Sequence, residues 1–218
     1  MLRIAALLML WVTGLWATGT VAGPWPMREG EGQLHLTLEA RASSGSDLYA
    51  TLYSEFGIGG ERTLGLDLGQ SDDHFDKAIV FLRKPFGPRG GDTVMAYEIG
   101  VGAVDGQAAL RPGVSVGKGF TIGARPGWVA LDARGAIYDG AAKGVIETDL
   151  TLGAETARGD KWMVQLQMAA PSGSSPYVKI APSYAFRQGQ GRHLLLGATA
   201  GLVNDSGAKI TFGLWQKF

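Results

Sequence analysis

The chain has 218 residues, no Cys, and 20 Lys+Arg against 20 Asp+Glu. Balanced charge gives no electrostatic reason for a nucleic-acid partner, and the lack of Cys excludes a disulfide framework, so packing or closure must hold the fold. Gly is about twice as common as usual, at 34 residues, yet no Gly-X-Y period or low-complexity block absorbs it.

The first residues read as an export signal. Met1-Leu2-Arg3 supplies positive charge, Ile4 to Val12 is apolar, and Thr20-Val21-Ala22 places small residues before Gly23. From Ile4 to Trp16 the apolar stretch is about 13 residues, short of the roughly 20 that a spanning helix needs. Residues 1–22 are therefore expected to be a cleaved signal peptide, and 23–218 a single domain. No later segment approaches a spanning helix, so any membrane insertion must be by strands.

A short periplasmic leader with Pro24 and Pro26 comes next. Beyond it the sequence breaks into about twelve alternating runs separated by Gly, Ser, Asp, Asn and Pro. They cover 33–41, 47–57, 62–69, 75–86, 93–104, 107–120, 127–139, 144–156, 161–170, 176–187, 192–203 and 208–218. Ten to about fourteen strands fit the same punctuation. Each run has one apolar face: Ile146, Leu150, Leu152 and Ala154 oppose Glu147, Asp149, Thr151 and Glu155, and Leu64, Leu66 and Leu68 oppose Thr63, Gly65 and Asp67. Soluble half-buried sheets alternate as well.

The aromatic residues discriminate. With the N-terminus in the periplasm, Phe56, Phe86, Phe120, Phe186 and Phe218 each end an even-numbered strand on the lipid-facing parity, and Trp162 starts the ninth there. Such a ring is an interfacial aromatic girdle, here on the periplasmic side. Pro112 and Pro182 fall mid-strand on the same parity, where each is expected to mark a bulge. Residues 118–126 form a long periplasmic connection, part of which could extend a strand, while the outer connections are short.

With a signal peptide, about twelve amphipathic strands and a last strand reading KITFGLWQKF, the chain resembles small single-chain outer-membrane β-barrels of Gram-negative bacteria. The resemblance implies an all-β, closed, antiparallel transmembrane barrel in the outer membrane with short loops on both sides. Its partners would be outer-membrane lipid and the barrel-assembly machinery, which would read Phe212, Leu214 and Phe218. It implies no particular activity and leaves oligomeric state open.

The inward parity is charged. Glu98, Arg111, Asp132, Arg134, Glu147, Asp149 and Lys179 are candidate lumen-lining residues, with Glu98, Asp132, Arg134 and Glu147 at mid-barrel. Inward acids and bases nearly balance, which suits a small, weakly selective passive channel for ions or small solutes. The alternatives are a non-conducting barrel filled by salt bridges, or a secreted soluble β-barrel that binds an apolar ligand. An enzyme is not expected, since His35 and His193 face inward, His74 lies in a loop, and none has a Ser in a recognisable pattern. No catalytic, cofactor-binding or metal site is assigned; Asp72-Asp73-His74 reads as a solvated loop rather than a cation site.

Overall fold

The computed structural model describes residues 23–41, 48–71, 74–88 and 91–218. The expected signal peptide at 1–22, the expected outer connection at 42–46 and the pair Asp72-Asp73 lie outside them. Twelve strands follow in order: β1 Gly32–Arg41, β2 Leu48–Gly57, β3 Thr63–Ser71, β4 His74–Phe86, β5 Thr93–Val104, β6 Gln107–Ile122, β7 Arg125–Tyr138, β8 Lys143–Glu155, β9 Lys161–Pro171, β10 Tyr177–Gly189, β11 Arg192–Val203 and β12 Ala208–Lys217. Each pairs antiparallel with its sequence neighbours. β1 and β12 close the ring, from Gln33 opposite Lys217 to Arg41 opposite Lys209.

Closure leaves no free edge, so every strand can satisfy both rows of backbone groups in a medium without water. Past the closing strand, Phe218 exchanges backbone hydrogen bonds with Gly32 at 2.7 and 2.9 Å. The apolar parity faces outward and is exposed, with Leu38, Val80, Val101, Ile146, Leu196 and Phe212 between 45% and 62% accessible. A band of this kind suits hydrocarbon, and it argues against the soluble alternative. Phe56, Phe86, Trp162, Phe186 and Phe218 are exposed on the same surface near the end at which β1 begins and β12 finishes, the terminal end of the barrel. Phe120 is half-buried, its ring lying over Gly127.

Two local expectations are corrected. Neither Pro112 nor Pro182 makes a bulge. Pro112 pairs in register with Ile99, and Pro182 with Val164. On the other side, the pairing of β6 with β7 skips from Leu110 to Gly113, and that of β10 with β11 from Ile180 to Ser183, without a change of register at either proline. A proline lacks one donor that serves one neighbour, so one ladder is interrupted while the other runs on. Residues 118–126 form no long connection but extend the strands, as one of the two readings of that stretch had it: β6 and β7 pair as far as Ile122 opposite Arg125 and turn through Gly123 at φ 64°.

Candidate functional site: the lumen

Four features occupy the interior, and alternation along the strands sets each of them. The first is a belt of ion pairs on the wall formed by β2 to β8. Arg83 on β4 bonds Glu55 on β2, and its Nη2 donates to Glu98 on β5 at 2.8 Å. Arg111 on β6 reaches Glu98 at 3.2 Å and Asp67 on β3 at 2.5 Å, and Lys77 pairs with Asp67 at 3.0 Å. Arg134 on β7 lies 3.5 Å from Glu98 and 3.8 Å from both Asp132 and Asp149. Tyr53 donates its hydroxyl to Glu55 at 2.8 Å and accepts from Arg83 at 2.9 Å.

The belt is built around an aromatic ring. Phe81 is 1% exposed, with the guanidinium carbons of Arg83 and Arg111 each 5.2 Å from its centroid and Tyr53 stacked at 5.6 Å. Gly65, opposite Phe81 on β3, makes this possible, since a Cβ there would fall inside the ring. Arg83, Glu55 and Arg111 are 3% exposed or less. Charges this dry persist only because each has several partners.

Nearer the end at which β1 begins and β12 finishes lies a layer of rings and cations. Trp215 is 1% exposed and packs against His35 at 4.6 Å and His193 at 5.7 Å. The Lys161 ammonium, paired with Glu155, sits 5.6 Å from the Trp215 centroid and 5.8 Å from that of Trp128. Gly153 gives Trp128 its place, as Gly65 does for Phe81. Two of the histidines are thus absorbed in this layer, where His193 Nε2 meets the Gly159 carbonyl at 3.0 Å, while His74 pairs with Asp76 at 3.0 Å.

The third feature is the leader, which enters the barrel rather than trailing from it. Glu29 bridges to Gly57 on β2, the Met27 amide donates to Thr63 Oγ1 at 3.0 Å, and the Gly23 carbonyl accepts from Arg83 Nη1 at 2.8 Å. Pro24 and Trp25 fill the space over Gly117 on β6, and Gly23 approaches Ala130 on β7. Pro24 and Met27 are buried. The leader therefore caps the belt from the terminal end.

Opposite the belt and toward the far end the barrel is open. A vestibule of about 670 Å³ extends from Ser71, Asp76 and Tyr177 at the far-end rim inward to Met163 and Leu195. Its wall from β9 round to β1 is neutral at mid-height: Gln165, Gln167, Ser183, Thr199, Thr211 and Thr37 face the space. These groups bond one another, Gln167 Nε2 to Gln165 Oε1 at 2.8 Å and Gln165 Nε2 to Thr151 Oγ1 at 3.2 Å. Lysines stand at the rim with acids beside them, Lys209 with Glu39 and Lys179 with Asp205, both at 3.1 Å. Asp205 lies in the β11–β12 turn, where the Gly207 amide holds its carboxyl below the usual range and Lys179 adds to the effect.

The structure thus places Glu98, Arg111 and Asp132 in the buried belt, and Arg134 at the junction of belt and vestibule. Glu147, Asp149 and Lys179 border the vestibule. Phe212, Leu214 and Phe218 stand on the outer parity of the closing strand. Sequence reasoning overlooked Phe81, the leader and the neutral wall. The parity that put Lys77 and Arg83 inside also puts Phe81 there.

No protein-family model matches the chain, and no curated protein matches it significantly. Among solved structures it is similar to an outer-membrane channel from Pseudomonas putida F1, at 9% identity and TM-score 0.58, over 92% of this chain and 100% of that one. An anion-selective porin from Comamonas acidovorans also aligns, at 12% identity and TM-score 0.38, over 87% of this chain and 98% of that one. The chain is therefore a closed twelve-stranded antiparallel barrel with the fold of a bacterial outer-membrane channel.

Proposed function

We propose that the chain is a narrow passive channel of the outer membrane, with both termini in the periplasm and the vestibule open to the exterior. The vestibule carries this reading. A barrel that served only as a scaffold would fill its interior with side chains throughout, whereas here about 670 Å³ of polar space reaches past mid-height. The salt-bridged alternative describes one wall only. Paired charges on that wall and at the rim leave little net field, which favours weak ion selectivity. At the periplasmic end the leader and the Trp215 layer form the constriction, so bore there is set by a few packed side chains.

Single-channel recording of refolded protein in a planar bilayer tests this. The intact chain should give small, stable current steps, and the double substitution Pro24→Gly with Trp25→Gly should enlarge them severalfold while the barrel remains folded. Folded protein without steps in either form would identify the barrel as a non-conducting scaffold.

A further inference from the structure

We infer that the neutral wall of the vestibule is a binding site for a small, uncharged, polyhydroxylated solute of the size of a disaccharide. The inference is compatible with the channel reading but stands on the site itself. A vestibule of about 670 Å³ is within the ordinary range for small-molecule sites.

Its chemistry is the chief argument. At mid-height the strands from β9 round to β1 present carboxamides and hydroxyls: Gln165, Gln167, Ser183, Thr199, Thr211 and Thr37. Each hydroxyl both donates and accepts, and each carboxamide carries a donor end and an acceptor end. An ion needs groups of one sign, whereas a polyol offers donors and acceptors together, as this wall does. Most charges that border the space are paired off, Lys209 and Lys179 with Glu39 and Asp205 and Arg134 with three acids, and Glu147, without an ion pair among the described residues, stands across the space on β8 rather than on this wall.

Shape supports the same class. Gly197 on β11 lines the vestibule between Ser183 and Thr211, whose side chains close in over it, so their hydroxyls stand side by side on one stretch of wall. Met163 and Leu195 end the vestibule with an apolar shelf. Pyranose rings have C–H faces that suit such a shelf and edges of hydroxyls that suit the wall. An apolar ligand would instead strand the carboxamides and hydroxyls without partners.

Binding is measured without reference to conduction, by saturation-transfer difference NMR of sucrose with the refolded full barrel in detergent, alongside citrate as a smaller, charged polar probe. Sucrose should give a saturable signal, and citrate none of comparable affinity. Gln165→Leu together with Gln167→Leu should weaken sucrose about tenfold or more, since two hydrogen-bonding side chains are lost from the wall. Unchanged folding, read from heat-modifiable migration, keeps that comparison valid, and Thr211→Val supplies a second, milder variant. No saturable sucrose signal, an effect equal in parent and variant, or preferential citrate binding would overturn the site. Current steps without sucrose binding would leave the channel and remove the site; binding without current steps would do the reverse.

Discussion

The two walls of one lumen are built on opposite principles. On the wall from β2 to β8 the belt residues are long, charged and mostly buried, and they interlock across the six strands β2 to β7 around Phe81. From β9 round to β1 the inward residues at mid-height are neutral, Gln165, Gln167, Ser183, Thr199, Thr211 and Thr37, and they line the vestibule. Both walls have the same alternation and the same apolar exterior, so the difference lies only in the inward residues. On the proposed function the walls divide the labour: one stiffens the barrel and narrows it, while the other is left free to meet solute.

Breaking the stiff wall should have the largest effect. Arg83→Met removes the base between Glu55 and Glu98, both of which stay buried. Stranding buried acids in this way should cost about 3–5 kcal/mol, read from denaturant unfolding in lipid vesicles. On the neutral wall, Gln165→Ala should cost about 1 kcal/mol or less, because water in the vestibule can replace the lost partner. Equal costs would mean that the two walls do not differ in role.

The next comparison is between inside and outside. Leu150 faces outward at mid-strand, opposite Leu131 and Leu166, while the adjacent Thr151 faces the vestibule. Leu150→Arg should cost about 2–4 kcal/mol because it sets a charge against hydrocarbon. Thr151→Arg enters a polar, open space and should cost far less. Similar losses in the same unfolding measurement would show that β8 does not expose the faces assigned to it.

Much of this was legible in the sequence because a strand in a membrane barrel obeys a simple local rule. Alternation placed Glu98, Arg111 and Asp132 inside and Phe212 and Leu214 outside, and it located nearly every strand end. What alternation cannot supply is height and azimuth. Glu98 and Glu147 share the inward parity, yet Glu98 is buried among three arginines while Glu147 borders open space. That difference depends on how twelve registers add up around the ring, which no single strand records. The leader was illegible for a different reason. Gly23 to Met27 has no periodicity of its own, and its place is set by the space over Gly117 and by Arg83, far away in sequence.

The smallest expected effect is a shift in selectivity rather than a loss of fold, and it turns on Glu147. This residue faces the vestibule from β8 and, among the described residues, forms no ion pair. Arg134, directly opposite it in the β7–β8 register, sends its guanidinium toward Glu98, Asp132 and Asp149 instead. Glu147 is thus a negative charge placed where a passing ion would meet it, on a lining otherwise close to neutral. Glu147→Gln keeps the size and hydrogen-bonding capacity of the side chain and removes only the charge. In a planar bilayer under a salt gradient, the reversal potential should move modestly toward anion preference, with single-channel conductance and unfolding midpoint nearly unchanged. Arg134→Ala is not the mirror experiment, because it removes the shared partner of three acids and should therefore destabilise the barrel as well as alter selectivity. A reversal potential indifferent to Glu147→Gln, in a channel that conducts, would mean that ions pass along the neutral wall without sensing β8, and would place the conducting path wholly on the side of β9 to β1.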